Sequence, residues 1–301
     1  MSLLLRCRHC LVSSIVRAAV GRNKACNLEN IIVRGFVSEH VHTKTNVDYN
    51  YASQKNENYD VLYEGHIKLT PFQRILLTAG SAAMCLYNPV RDDMISTFGE
   101  TTGHAALKKV RERMLQDPEG QLILKEKPIV SSETINLKYL DSLPDGTLGK
   151  EYWRFLSYNG FDPDGRRPVH FVDDPDLVYI MLRYRQIHDL LHSLMGMPPH
   201  MLGEVVIKWV EALQTGLPMC YTAAIFGPFR FGPKHSKLYW NTYMPWAIRC
   251  GKQAKFLMSV YFEKHWERNV SDLRKELNIE EPPKSLFMKD KRKEKDDSIT
   301  E

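Results

Sequence analysis

Residues 175–204 read PDLVYIMLRYRQIHDLLHSLMGMPPHMLGE, and this stretch decides how the chain is expected to fold. Asp173 and Asp174 precede the proline, and an acidic cap followed by proline in the first turn is a typical helix start. Apolar residues then recur at helical spacing up to about Met195, where Gly-Met-Pro-Pro ends the pattern. A second helix is predicted from about Met201 to Thr215, because Gly216 stands where glycine is favoured after a helix.

The rest of the sequence has the same helical periodicity. Thr70 and Pro71 predict the start of a helix that runs to about Tyr87, with apolar residues at Phe72, Ile75, Leu76, Ala79, Ala83 and Leu86. Further helices are predicted over about residues 104–116, 135–143, 149–158, 236–254, 255–268 and 271–278, with a turn at residues 117–120. Because no alternating run is long enough for a sheet, the predicted fold class is all-α.

Composition divides the chain into four parts. A single globular helical domain, which would bind the metal discussed below, is predicted over residues 63–278. Residues 37–62 are polar and lack periodicity, which is typical of a linker, and residues 279–301 form a charged tail predicted to be disordered. Residues 217–229 are uncharged, but 13 residues are too few to span a bilayer.

The net charge of +5 is concentrated at the N-terminus. Residues 1–36 carry six Lys or Arg against one Glu, so the remainder is neutral and gives no support to nucleic-acid binding. This segment is rich in Arg and Ser and moderately amphipathic, which predicts a mitochondrial transit peptide ending near Phe36. A secretory signal is the alternative, but Arg6, Arg8 and His9 interrupt the apolar run that such a signal requires.

The six cysteines favour a reducing compartment. Half of them fall in the predicted transit peptide, at Cys7, Cys10 and Cys26. The others are isolated in mostly apolar surroundings and are predicted to be buried free thiols: Cys85, Cys220 and Cys250.

His188 and His192 are the main candidates for chemistry. They lie one helical turn apart on one face, the spacing with which H-E-x-x-H proteases place two imidazoles on one metal ion. Asp189 adjoins the first histidine, and Glu204 opens the second helix. A set of imidazole nitrogens and carboxylate oxygens suits Zn²⁺ and is acceptable to Fe²⁺ or Mn²⁺.

Each of these residues also has a purely structural interpretation. Histidines at the edge of an apolar stripe can pack in the core, and Asp189 can pair with Arg185 four residues earlier. Glu204 begins a polar series with Lys208, Glu211 and Thr215, opposite Val205, Trp209 and Leu213, as expected for the solvated face of an amphipathic helix. Spacing alone leaves a histidine metal site open and favours a solvated Glu204.

Other candidate residues carry weaker signals. Arg183 and Arg185 could bind an anionic group of a substrate, although their ordinary role is surface solubility. An apolar pocket or simple core packing could explain the aromatic group Phe229, Phe231, Tyr239, Trp240, Tyr243 and Trp246. Protease activity is disfavoured because Asp189 replaces the glutamate base. HD-type phosphohydrolase activity is disfavoured because this sequence offers no convincing downstream aspartate.

His188-Asp-Leu-Leu-His192, followed eleven residues later by Glu204, is similar to the H-D-x-x-H-x(11)-E signature of the mitochondrial coenzyme Q (ubiquinone) biosynthesis protein 4 family. The flanking sequences MLRYR, LGEVVIKW and QTGLPM at residues 181–185, 202–209 and 214–219 also resemble the family, as do TPFQR at 70–74 and GPFR at 227–230. The resemblance covers about residues 63–278, without departure at the four signature positions.

The resemblance implies a Zn²⁺ ion held by His188, Asp189, His192 and Glu204 in an all-α protein. It further implies a peripheral position on the matrix face of the mitochondrial inner membrane, within a complex of ubiquinone-biosynthesis enzymes. The implied activity removes the C1 carboxylate of 4-hydroxy-3-methoxy-5-polyprenylbenzoate, giving 2-methoxy-6-polyprenylphenol or, if oxidative, the C1-hydroxylated ring.

Two expectations accompany that activity. Because a polyprenyl tail is insoluble in water, residues 217–229 and the aromatic stretch after them are predicted to contact the membrane. The alternative function is non-catalytic: a metal-stabilised scaffold that holds a polyprenyl lipid or gathers partner enzymes. A full shell of four protein ligands, which is typical of structural zinc sites, would favour the scaffold.

Overall fold

The computed structural model of the chain describes residues 62–89 and 91–283. The predicted transit peptide, nearly all of the predicted linker and most of the predicted tail lie outside the described residues. The described ranges contain no β-strand, only an isolated antiparallel bridge between Thr147 and Asn269. The predicted all-α fold class is therefore confirmed.

The α-helices of the described chain are, in order, α1 (Pro71–Tyr87), α2 (Asp92–Thr102), α3 (His104–Leu115), α4 (Pro118–Glu126), α5 (Leu137–Ser142), α6 (Leu148–Asn159), α7 (Pro175–Met195), α8 (Met201–Thr215), α9 (Pro218–Phe226), α10 (Pro233–Leu238), α11 (Met244–Gln253) and α12 (Val270–Glu276). A π-helical segment, Tyr239–Tyr243, joins α10 to α11. Short 3₁₀ turns occupy Gly227–Arg230, Leu257–Ser259 and Phe262–Lys264.

Helix α7 is the centre of the fold. The Asp174 side chain accepts hydrogen bonds from the N–H groups of Asp176 and Leu177, which caps the helix as predicted. Fifteen of its 21 residues are buried, so α7 is enclosed on most sides rather than along a single stripe. It packs against α3, α6 and α8. The helix ends at Gly196, whose φ of 61° is the left-handed conformation that glycine adopts without strain.

Helix α8 follows after five residues and is the second buried element. It packs against α7, α9, α11 and α3, and these neighbours cover both its apolar and its polar side. Glu211, Gln214 and Thr215 are all buried. The prediction of a solvated polar face on this helix is therefore wrong, because the spacing of polar residues does not reveal that α7, α9 and α11 pack around the helix.

Several predicted elements differ from the structure. Helix α2 was not predicted, and the predicted turn at residues 117–120 is the start of α4, where Asp117 caps the N–H groups of Glu119 and Gly120. The helix predicted over residues 255–268 is instead a chain of turns with two 3₁₀ segments. The last helix is capped by Asn269 rather than Ser271.

Helix α1 forms as predicted, with a capping box between Thr70 and Gln73, but only one of its residues, Ser81, is buried. Its apolar stripe faces outward: Phe72, Ile75 and Leu86 are 59%, 68% and 46% exposed. The opposite side, which includes Leu77, Ser81, Met84 and Cys85, is less exposed, and α1 packs against α2. The apolar periodicity therefore identified the helix correctly, but its apolar face does not belong to the core.

Two further features complete the domain. Ile279 is buried and the Glu280 carbonyl accepts a hydrogen bond from Trp246 Nε1, so the packed chain continues to Glu280. The three described cysteines are free thiols; Cys220 and Cys250 are buried, and burial raises their pKa values to about 12 and about 11. Within the described ranges, no helix has both the length and the apolar character needed to cross a bilayer.

Candidate metal centre

Three potential metal ligands meet where α7 ends and α8 begins. His188 and His192 lie on one face of α7, and Glu204 lies in the first turn of α8. Glu204 places one carboxylate oxygen 3.3 Å from His188 Nε2 and the other 3.3 Å from His192 Nε2. The candidate ligand atoms of the three residues all lie within 4.8 Å of one another, which is close enough for one ion to bind them together.

The break between the helices brings Glu204 back over α7. Gly196 reverses the chain, and the Met197 N–H donates to the His192 carbonyl at 2.9 Å. Gly203 then packs directly on the Pro198 carbonyl, where a Cβ atom would collide. A small residue is required at position 203 for α8 to start this close to the break, and Glu204 is the next residue.

Each histidine is oriented through its Nδ1 atom. His188 Nδ1 lies 2.7 Å from Glu211 Oε1, and His192 Nδ1 lies 3.0 Å from the Met197 carbonyl oxygen. Both partners can accept a hydrogen bond from Nδ1, so each imidazole directs its Nε2 atom toward Glu204, where a metal ion would take the place of a proton. A carboxylate or carbonyl behind a histidine is the usual support of a metal ligand.

His192 provides the test of whether an ion fits these residues. Its side chain is 1% exposed, and its Nε2 atom has no hydrogen-bond partner. Phe155 stacks against the imidazole with 5.2 Å between the ring centroids, so this apolar neighbour offers Nε2 no hydrogen bond. A buried nitrogen without a partner is costly unless it binds something, and two imidazoles with one carboxylate form a donor set suited to Zn²⁺. The residues therefore fit a metal ion.

A buried polar cluster, consisting of Tyr184, Lys208, Glu211 and Cys220, lies behind His188. Lys208 Nζ donates to Glu211 Oε2 at 2.7 Å and to the Tyr184 hydroxyl oxygen at 2.9 Å. The Tyr184 hydroxyl in turn donates to Glu211 at 2.8 Å. Because the members of the cluster hydrogen-bond to one another, they hold the Glu211 carboxylate in place against His188.

The electrostatics of the centre favour a cation. Burial and the Lys208 ammonium would lower the pKa of His188, but Glu211 and Glu204 raise it to about 10. Burial would raise the pKa of Glu211, but Lys208 and His188 hold it at about 2. His192 and His188 likewise hold the pKa of Glu204 well below its ordinary value against the effect of burial. Two ionised carboxylates thus converge on the histidines.

Asp189 lies apart from the three converging residues. Its carboxylate binds Arg166 Nη2 at 2.8 Å. Arg166 is also held by the carbonyl oxygens of Val130 and Pro163 and by the Tyr152 hydroxyl. The pair with Arg185 that the spacing suggested does not form. The four-residue ligand set stays a prediction, of which the structure brings three members together.

The two candidate substrate arginines are engaged by the protein itself. Arg183 is fully buried and pairs with Glu263, while its guanidinium also donates to the Val260 carbonyl at 3.0 Å. Arg185 donates to Glu100 at 2.6 Å and to the Arg167 carbonyl at 2.7 Å. Neither arginine is a solubilising surface residue, and both guanidinium groups tie α7 to neighbouring segments.

The aromatic candidates separate into two groups. Tyr239, Tyr243 and Trp246 are buried and belong to the core, whereas Phe229 and Trp240 are 81% and 52% exposed.

Glu211 and Lys208 are the functional residues that sequence reasoning missed. Their signal was present, because Lys208 at i+4 and Glu211 at i+7 continue the helical face of Glu204, but it was interpreted as a solvated face.

The fold and the site together define a class: an all-α protein with a His–His–Glu candidate metal centre supported by a buried carboxylate. Residues 63–283 match the family described as coenzyme Q (ubiquinone) biosynthesis protein Coq4. The chain belongs to this family, which places its role in ubiquinone biosynthesis.

The relatives that the chain resembles cover most of its described part. The ubiquinone biosynthesis protein COQ4 homologs named as mitochondrial in mouse and human are each 50% identical to it, over 75% and 74% of this chain and 85% and 84% of theirs. That of Aedes aegypti is 51% identical over 72% of this chain and 79% of its own.

A solved structure supports the fold independently. The crystal structure of a candidate ubiquinone biosynthesis protein from Nostoc punctiforme superposes with a TM-score of 0.55 at 20% identity. It covers 68% of this chain and 96% of its own.

Proposed function

We propose that this protein catalyses the C1-decarboxylation of 4-hydroxy-3-methoxy-5-polyprenylbenzoate with a Zn²⁺ ion bound by His188, His192 and Glu204. The observation that carries the metal assignment is the buried His192 Nε2 atom, which has no hydrogen-bond partner and points at Glu204. The choice of reaction rests on membership of the ubiquinone-biosynthesis family together with that centre.

The number of ligands favours catalysis over a purely structural role. Zinc sites that only stabilise a fold have four protein ligands, whereas catalytic sites have three and keep one position open. Asp189, the fourth predicted ligand, is bound to Arg166 and lies outside the group formed by His188, His192 and Glu204. With three protein ligands, an open position remains for a substrate oxygen.

The reaction itself needs one proton and no oxidant. A proton adds to C1 while the para hydroxyl donates electron density, the bond from C1 to the carboxylate breaks, and its electron pair restores the aromatic ring as CO₂ leaves. When bound, Zn²⁺ would supply positive charge that anchors the carboxylate or phenolate and stabilises developing negative charge. Glu211 and Lys208 hold His188 in its orientation throughout, and Phe155 shields His192 from water.

The experiment measures metal content and product together. The purified protein is expected to contain about one zinc per chain and to release CO₂ from a short-chain prenylated 4-hydroxy-3-methoxybenzoate. His188→Ala is expected to lose both, while His104→Ala, an exposed histidine at the start of α3, keeps both. Stoichiometric metal without CO₂ release, with lipid supplied, would overturn the decarboxylase in favour of the scaffold. A C1-hydroxylated product would show that the reaction is oxidative.

The cellular setting follows from the same proposal. We place the protein on the matrix side of the mitochondrial inner membrane, bound peripherally and within a complex of ubiquinone-biosynthesis enzymes. The mitochondrial names of its relatives support the compartment. Carbonate extraction of mitochondria should release the protein from membranes, and co-purification should recover other enzymes of the pathway; retention in the carbonate pellet would contradict the peripheral assignment.

A further inference from the structure

We propose that the outward face of α1, together with the exposed aromatic residues of α9 and the turn after it, docks onto an anionic lipid bilayer. We call this area the α1–α9 face and define it by Phe72, Ile75, Leu76, Leu86, Tyr87, Tyr221, Ile225, Phe226, Phe229 and Trp240, all of which are exposed. The inference rests on the proposed peripheral association and adds the surface that carries it.

The first argument is the orientation of α1. A surface helix normally turns its apolar stripe toward the core, but here that stripe faces outward. Ile75 is 68% exposed, whereas Ser81 on the opposite side is buried and donates to the Leu77 carbonyl. Arg74 also lies on the inner side, where it binds Asp173 at 2.5 Å. The helix is thus attached to the protein through a mixed side that includes Leu77, Met84 and Cys85, while its wide second apolar side remains exposed.

The second argument is continuity between the two parts of the face. Arg230, at the end of the turn after α9, donates to the Leu86 carbonyl at the end of α1. Phe229 lies next to Arg230 and contacts Phe226 at 6.3 Å between ring centroids. The C-terminal end of α1 and the aromatic residues after α9 therefore lie side by side.

The third argument is charge. Residues 65–91 and 212–262 contain no Asp or Glu, although they carry three and six Lys or Arg. Lys234 and Lys237 lie exposed on α10, immediately before Trp240. Arg74, Arg91 and Arg249 pair with carboxylates from outside the two segments, so the exposed Lys234 and Lys237 carry the argument. An apolar surface whose own segments lack acids and are flanked by lysines is complementary to a bilayer that carries anionic headgroups. A protein partner would have to supply both a wide apolar surface and an excess of acidic residues.

The chemistry of the exposed side chains agrees with an interface rather than with deep insertion. Tyr and Trp are the residues that prefer the boundary between headgroups and acyl chains, and Tyr87, Tyr221 and Trp240 are all exposed here. At about 1.5 Å per residue, α1 is about 25 Å long and would lie in the plane of the membrane. This contact would keep the membrane-embedded substrate close to the protein that acts on it.

The test is flotation of the full chain with phosphatidylcholine vesicles that contain or lack phosphatidylglycerol. We expect binding to the anionic vesicles, weakened by salt, and an about tenfold or greater loss of partitioning for Ile75→Glu and for Phe229→Glu. Tyr158→Glu is the matched control: it places the same charge at an exposed aromatic residue of α6, a helix that packs against α5 and α7, and should bind within about twofold of wild type.

The outcomes separate this inference from the function on which it rests. His188→Ala should float like wild type, because the face is independent of the metal centre. If wild type floats and Ile75→Glu floats equally, the face is wrong while membrane association stands. If wild type does not float, both the docking face and the peripheral membrane association are contradicted. If wild type is a dimer by light scattering and Ile75→Glu a monomer that floats as before, the face belongs to a second copy of the chain and the bilayer is overturned.

Discussion

Glu211 is the residue on which the orientation of His188 depends. Its carboxylate contacts His188 Nδ1 at 2.7 Å and is itself held by Lys208 and Tyr184. We expect Glu211→Gln to weaken zinc affinity about tenfold or more, because removing the carboxylate behind a metal-bound histidine reduces the donor strength of the ring. Competition with a chromogenic chelator measures the affinity directly.

The control for Glu211 is Glu100, a second buried carboxylate that hydrogen-bonds to Arg185 and to backbone N–H groups rather than to His188 or His192. Glu100 is 2% exposed and accepts from Arg185 and from the N–H groups of His170 and Phe171. Glu100→Gln should cost stability in the same way but leave zinc affinity unchanged. Equal losses of affinity in the two variants would mean that general loosening of the fold, and not support of His188, explains the effect.

A substitution of Asp189 tests whether this residue binds zinc or only forms an ion pair with Arg166. Asp189→Asn should retain zinc and lose about 1–2 kcal/mol of stability, because Arg166 is left without its carboxylate; the figure is reduced from that of a fully buried pair since Asp189 is 23% exposed. Glu204→Gln should lose zinc instead. Metal analysis and thermal unfolding of both variants decide the matter, and a folded Asp189→Asn protein without zinc would restore Asp189 as a ligand.

At the scale of helices, the closeness of α8 to the break depends on Gly203. A Cβ at this position would collide with the Pro198 carbonyl, a backbone atom that cannot rotate away. Gly203→Ala should therefore shift the first turn of α8, move Glu204 from the histidines and lower both stability and zinc content. A fully zinc-loaded Gly203→Ala protein with wild-type stability would contradict this account.

Gly80 is the matched control for Gly203. It lies in α1, and a Cβ added there meets nothing within 4 Å. Gly80→Ala should therefore stabilise the protein by about 0.5–1 kcal/mol, since alanine loses less backbone entropy than glycine in a helix. Thermal unfolding of the two alanine variants side by side separates the collision at position 203 from the general effect of the substitution.

Helices α1 and α8 show how far sequence periodicity reaches. In both, the spacing of residues predicted the helix and sorted its residues onto two faces. The assignment of the polar face of α8 to solvent was wrong, and for α1 periodicity alone did not show whether the apolar face lies in the core. Both outcomes depend on which neighbouring elements pack against the helix. In α8 the polar face is buried under other helices, and in α1 the apolar face is left uncovered.

The histidine pair of the candidate site was predictable from helical spacing, but the other residues of the site were not. His188 and His192 share one helix, so their convergence follows from spacing alone. Glu204 came from a second helix, and only the resemblance to a known family favoured it as a ligand. Arg166, which engages Asp189, lies 23 residues upstream in an irregular segment, and no local pattern connects the two.

At the scale of the whole molecule, the neutral net charge of the chain beyond residue 36 hides an uneven distribution. Acidic residues are missing from two long segments that are distant in sequence, and the structure brings the ends of α1 and α9 together. An average over composition gives no support to nucleic-acid binding, and it cannot show a local surface suited to anionic lipid. That surface arises only when the two segments become neighbours.

The metal centre should also contribute to the stability of the whole domain, because it joins the end of α7 to the start of α8. A ligand that binds only the folded state at about a hundred times its dissociation constant adds about 2.7 kcal/mol, and for a domain of this size 1 kcal/mol corresponds to about 2–4 °C. Removing zinc with a chelator should therefore lower Tm by about 5–10 °C, measured by calorimetry.

His192→Ala separates this effect from other actions of the chelator. The variant removes the buried Nε2 ligand, so its Tm should not respond to chelation. An equal drop in the variant would mean that the chelator acts elsewhere. Loss of zinc without any change in the Tm of wild type would mean that packing alone holds α7 against α8. The ion would then serve chemistry rather than stability.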